Sequence, residues 1–158
     1  MTNATYWKRI TGAAAALIVA LPGAWWLRHT LARAVRVWRP GYGRFVRAGR
    51  LTVRIAGSGD RAFVLLHGLV SSGDTFGSAY DCLADHGRLI VPDLLGFSRS
   101  MSDASSGFCL EDHLDSLDQM MNALGAADAR LVVVGHSLGA LIALHWAARR
   151  TTQVDAAV

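Results

Sequence analysis

Gly135-His136-Ser137-Leu138-Gly139 limits the possible folds of this chain more than any other feature. The string sits where an apolar run, residues 131–134, meets a helical pattern beginning at Leu138. A serine hydroxyl is a poor nucleophile unless it is held exposed beside a base and an oxyanion site. A sharp turn from strand to helix supplies that exposure and strains the backbone at the serine. Glycines two before and two after, here Gly135 and Gly139, let strand and helix approach without a Cβ clash. The helix N-terminus behind Ser137 also offers free N–H groups and a positive dipole to a developing oxyanion. The string alone arises by chance in about one chain of this size in twenty, so its setting carries the reading.

That setting extends along the chain. Leu51–Ala56 alternates like a strand and ends in the turn Gly57-Ser58-Gly59-Asp60. Residues 63–66 form a continuous apolar run, as in a strand buried on both faces. Residues 75–85 carry a helical pattern with Gly87 beyond it, and 88–91 read as a short strand closed by Pro92. Leu110, Leu114, Leu117, Met121 and Leu124 fall at helical spacing, with Gly125 as the C-terminal cap. Residues 138–150 begin the next helix, and 154–158 open a further strand. Strand and helix in alternation predict a mainly parallel α/β sheet with flanking helices and right-handed crossovers. Pro40-Gly41-Tyr42-Gly43 is a breaker cluster that divides a segment, 1–40, from a domain, 41–158.

His67-Gly68 follows the buried strand. LLHGL at 65–69, PDLLGFSRS at 92–100 and GHSLGA at 135–140 occur in this order. Together they resemble the α/β-hydrolase superfamily, in its esterase, lipase and C–C-hydrolase-like group, over about residues 50–158. The resemblance implies a serine hydrolase of ester-like or related acyl substrates, with Ser137 as nucleophile. It implies an oxyanion hole built from the backbone N–H groups of Leu69 and Leu138. Asp93 takes the place of an aspartate that shapes a loop, and the family often has glycine where this chain has Ser98. The family order is nucleophile, then acid, then histidine. No residue after Ser137 stands in those later positions. His136, beside the nucleophile, is expected to point away from it, and His145, two helical turns on, to face solvent or the sheet. His67, His86 and His113 read as structural. The chain is therefore expected to represent the N-terminal portion of the fold, and to be inactive alone. An inactive membrane protein with an interaction role, or an acyltransferase or perhydrolase on the same elbow, are the alternative readings.

The N-terminal segment has a different chemistry. Residues 1–54 hold ten lysines or arginines and no carboxylate, whereas 55–158 hold six arginines against twelve carboxylates. The basic balance belongs to the arm, which argues against a nucleic-acid-binding face on the domain. Residues 10–27 contain no charge and lie between Tyr6-Trp7 and Trp25-Trp26. Trp7 to Trp25 spans roughly 27 Å as a helix, close to a bilayer hydrocarbon core. Leu27, Leu31, Ala34, Val35 and Trp38 then share a helix face opposite Arg28, Arg36 and Arg39, as in a helix lying on an anionic surface. A retained membrane anchor and a cleaved signal peptide both fit this segment. For an anchor, the basic excess after the span places the domain in the cytoplasm; a signal peptide would place it outside. Cys82 and Cys109 are expected as small buried residues, with a single disulfide open to an exported domain. No metal cluster, phosphate-binding loop or dinucleotide fingerprint is present in the sequence, so no cofactor is expected.

Overall fold

The computed structural model describes residues 38–101 and 107–158. Arg39–Val158 forms one compact unit around a six-stranded sheet. The strands are β1 (Arg44–Ala48), β2 (Leu51–Ala56), β3 (Arg61–Leu66), β4 (Arg88–Pro92), β5 (Arg130–Gly135) and β6 (Val154–Ala157), in the order β1-β2-β4-β3-β5-β6. Parallel pairing joins β4, β3, β5 and β6, while β1 and β2 extend the sheet as an antiparallel hairpin. Central β3 has neighbours on both edges and cover on both faces, which explains its unbroken apolar run. Ala62, Val64 and Leu66 enter one core layer, and Phe63 and Leu65 enter the other.

Helix α1 (Leu110–Ala123) buries Leu114, Leu117, Met120 and Met121 in the first layer. It starts with a reciprocal cap in which Cys109 N–H donates to Asp112 Oδ2 at 3.0 Å. It stops at Leu124, where Gly125 takes φ 60°, a left-handed conformation that glycine adopts without Cβ strain. Helix α2 (Leu138–Arg149) follows the candidate serine and buries Ile142, Ala143 and Trp146 in the same layer. Trp146 is fully buried, and its indole N–H donates to Asp118 Oδ1 of α1 at 2.8 Å. Arg150 Nε also reaches Asp118 Oδ1, at 2.7 Å, so one carboxylate ties the two helices together.

The structure departs from the sequence expectation at four places. The helix expected over 75–85 is two short 3-10 turns, Gly73–Phe76 and Asp81–Asp85. Gly77, at φ 49°, redirects the chain between them, and Phe76, Ala84 and half-buried Leu83 anchor the stretch in the core. Strand β1 was not expected, because two arginines in its five residues blend with the basic arm before it. Cys82 and Cys109 are exposed free thiols rather than buried ones. Cys109 caps a helix and Cys82 lies in a surface 3-10 turn, so neither has a core position to fill. His145 is exposed, as expected. The uncharged stretch 10–27, and all but the last residues of the basic helix after it, lie outside the described residues. Among the described residues, no helix is long and apolar enough to cross a membrane.

Asp118→Ala should lower unfolding free energy by about 1–3 kcal/mol, since it strands the buried Trp146 N–H without an acceptor. Urea denaturation followed by tryptophan fluorescence measures this; an unchanged midpoint would show that Asp118 does not join the helices.

Candidate active site

Strand β5 ends at Gly135, and α2 begins at Leu138, so the chain reverses direction within two residues. Ser137 sits at the apex with φ 55° and ψ −116°, outside the regions comfortable for a residue bearing a Cβ. Close packing enforces that conformation. A Cβ added at Gly139 would fall 2.1 Å from the Leu66 carbonyl oxygen, and one at Gly135 would fall 2.5 Å from Ala140 Cα. Both contacts are to backbone and cannot be relieved by a rotamer change. The two glycines therefore allow the first turn of α2 to rest directly on the ends of β5 and β3. Ser137 is exposed, and no described residue hydrogen-bonds its hydroxyl.

The loop after β3 lies against this elbow. A Cβ on Gly68 would stand 3.2 Å from Ser137 Cβ and 2.9 Å from His136 Nδ1, so the backbone passes next to the serine only because position 68 is glycine. Leu69 follows at once. No described group accepts the Leu69 N–H, and Leu138, first in its helix, has no intrahelical acceptor. Asp93, at the end of β4, holds the remainder of this loop. Its buried carboxylate accepts Gly73 N–H at 2.8 Å through Oδ1, and Arg99 N–H and Nη1 at 3.1 and 3.2 Å through Oδ2. Arg99 Nη2 in turn reaches Asp74 Oδ2 at 2.7 Å. Sequence reasoning missed Arg99. Ser98 takes φ 46°, the left-handed region in which glycine would be unstrained, and so preserves the loop's shape at this position.

A pocket of about 400 Å³ opens beside the elbow, and both Leu69 and Leu138 line it. Phe97, Phe108, Leu141 and His113 complete most of its wall, which is almost entirely apolar. Phe97, Phe108 and Leu141 were not nominated from the sequence, and His113 was read there as structural; Leu141, one turn along α2 from Leu138, is exposed.

Neither His67 nor His113 bonds Ser137. His67 is buried, donates from Nδ1 to the Gly68 carbonyl at 2.8 Å and accepts Leu94 N–H at Nε2, 2.9 Å away. That pair of bonds fixes the neutral tautomer and staples the Gly68 loop to the chain after β4. Burial pushes the His67 pKa below the usual 6.5, against the opposing pull of the Gly68 carbonyl and Asp93. Burial likewise lowers His113, whose Nδ1 has no hydrogen-bond partner, while neighbouring Asp112 opposes the shift. Among the described residues, no group of three or more His, Cys, Asp or Glu could hold a metal ion.

Both histidines are held neutral by folding and protonate more readily in the unfolded chain. Their contribution to stability is therefore complete above pH 6.5 and is lost as pH falls from there through the lowered folded values. Denaturant midpoints should fall between pH 7.5 and 5.5, and His67→Gln should flatten that fall. A midpoint independent of pH in this range would contradict the assignment.

Residues 61–158 match the family model described as alpha/beta hydrolase fold. An uncharacterized protein of Mycobacterium tuberculosis is 31% identical over 112 residues, covering 71% of this chain and 32% of its own length. A putative carbamate hydrolase, RutD, of Pantoea ananatis is 36% identical over 86 residues, covering 54% of this chain and 30% of its own length. The chain thus spans about a third of the length of these curated relatives. Among solved structures, the haloalkane dehalogenase DatA of Agrobacterium tumefaciens superposes with a TM-score of 0.60 at 29% identity, covering 75% of this chain and 40% of its own. With its family match, its strand order and its strained serine turn, the chain belongs to the alpha/beta hydrolase fold family.

Proposed function

We propose that Ser137 is the nucleophile of a serine hydrolase acting on ester-like or related acyl small molecules. One observation carries this reading: an exposed serine on a strained turn stands beside an apolar pocket lined by Leu69 and Leu138, whose N–H groups are unused. Attack by Ser137 Oγ on a substrate carbonyl would place negative charge on the carbonyl oxygen, where those two N–H groups are offered. Collapse of that intermediate expels the alcohol or amine and leaves an acyl ester on Ser137, which water then hydrolyses. The serine proton passes to a general base, which returns it to the leaving group. No described histidine bonds Ser137, so the proposal assigns base and acid to residues outside this sequence.

The chemistry of serine narrows the substrate class further. Displacement at a carbon–halogen bond, or opening of an epoxide, would leave an ether on Ser137. Water does not cleave such an ether under mild conditions, and turnover would stop after one event. Carbamate hydrolysis, named for one relative, is compatible with a serine; dehalogenation, named for another, is not.

The 158-residue chain should hydrolyse p-nitrophenyl butyrate close to background. A longer form carrying an acid and a histidine after the elbow should do so at a rate that Ser137→Ala abolishes. Turnover by the 158-residue chain that depends on Ser137 would overturn the assignment of the base. Inactivity of the longer form towards esters, amides and carbamates would favour a non-catalytic interaction protein.

The same proposal places the domain at a membrane, held by residues 1–40 and facing the cytoplasm. Support comes from the uncharged stretch 10–27 between aromatic pairs and from the basic residues that follow it. Expressed in bacteria, the chain should resist alkaline carbonate extraction of the membrane fraction; a soluble product that begins near Val35 would establish a cleaved signal instead.

A further inference from the structure

The pocket beside the elbow holds one polar group that the proposed reaction leaves unused. His113, the fourth residue of α1, is 6% exposed and forms part of the wall it shares with Phe97, Phe108 and Leu141. Every other side chain lining that pocket is apolar. Leu69 and Leu138 line the same space, so the imidazole and the two unused N–H groups border one cavity.

A buried histidine kept for packing places its ring nitrogens on partners, as His67 does with the Gly68 carbonyl and the Leu94 amide. His113 does not. Among the described residues, its Nδ1 is the one fully buried side-chain nitrogen or oxygen without a hydrogen-bond partner. Nε2 has no partner either and is not fully buried, so it is the nitrogen that an occupant of the pocket can reach. Burial keeps the ring neutral, and it therefore carries one N–H and one lone pair, neither of them used. Leaving such a group unpaired against apolar walls is unfavourable, and a ligand that pairs with it removes part of that cost. The same walls disfavour a charged ligand group. A hydroxyl is neutral, donates as well as accepts, and so pairs with either tautomer of the imidazole.

We propose that His113 is the specificity-determining residue of this pocket and takes a hydroxyl group on an otherwise apolar acyl chain whose carbonyl lies at Leu69 and Leu138. That the ligand is an acyl compound rests on the role proposed for Ser137; recognition of a neutral hydroxyl by His113 does not.

Hexan-1-ol and 1-chlorohexane, alike in chain length and differing in the hydroxyl, test this. Each is titrated at pH 7.5 into the full 158-residue chain in phosphatidylcholine nanodiscs, with the His113 ring and Leu141 methyl resonances as readouts. Hexan-1-ol should shift both sets of resonances. His113→Leu should lower the preference for hexan-1-ol over 1-chlorohexane by about tenfold, the scale of one lost hydrogen bond. Partition of the two probes into lipid cancels in that comparison between variants. His113→Gln, whose amide extends to the place of Nε2, should keep the preference within about threefold. His113→Leu should also unfold at a urea concentration no lower than the wild type, because it removes an unpartnered polar atom and not a bond. An unmoved His113 ring, an unchanged preference in His113→Leu, an equal loss in His113→Gln, or a lower urea midpoint for His113→Leu would overturn the proposal. Neither probe carries an acyl group, so the outcome is independent of Ser137, whose assignment stands or falls on ester turnover alone.

Discussion

The rest of the structure depends on one close approach, that of the first turn of α2 to the ends of β3 and β5. The space at Gly139 is so limited that a methyl group there would overlap the Leu66 and His67 carbonyls. That contact seats the first turn of α2 on the end of β3, immediately after Ser137 in its positive-φ conformation. The Gly68 loop closes the same space from the other side. The position of Ser137, the two free N–H groups and the pocket thus follow from a single backbone packing arrangement rather than from separate side-chain interactions. Side chains then fix the loops around it: Asp93 holds Gly73 and Arg99, and His67 joins the Gly68 carbonyl to the Leu94 amide.

The parts of this arrangement that rest on backbone sterics were legible in the sequence. Glycines at 135 and 139, the buried run before His67 and the helical spacing from Leu110 to Leu124 each reflect a local requirement that few residues meet. The missed parts depend on which distant surfaces meet. Arg99 looks like any surface arginine until the fold brings it between Asp93 and Asp74. Phe97, Phe108 and His113 line the pocket only because α1 lies over the loop after β4, which no short motif encodes. The 3-10 turns at 73–85 misled the reading because spacing over ten residues resembles a helix even when Gly77 divides it. Strand β1 escaped because its pairing with β2, not its own sequence, makes it a strand.

Charge divides the domain in a way that composition conceals. The elbow end carries buried or paired carboxylates at Asp74 and Asp93 and an apolar pocket. The far end carries arginines without acids around a second pocket. Helices α1 and α2 show a third pattern, in which Arg149 pairs with Glu111, Asp115 and Asp118 across their exposed seam. Such exposed pairs contribute little individually, and the buried Trp146–Asp118 bond beneath them sets the register of the two helices.

The strand order also determines how this domain must assemble in time. Only β1 and β2 are joined by a tight turn; β3 pairs with β4 and β5 and never with its sequence neighbour β2, and Leu66 meets Gly135 across the whole intervening chain. The central strand therefore gains no partner until long loops have closed, and loop closure is an entropic cost incurred before any ladder forms. Topologies with so many distant strand pairings fold more slowly than helical bundles of similar size. The strained serine turn depends on that pairing, because its backbone rests on β3 where α2 begins. The serine turn is thus conditional on the pairing of β3 with β5, and a chain in which those strands had not met would lack it.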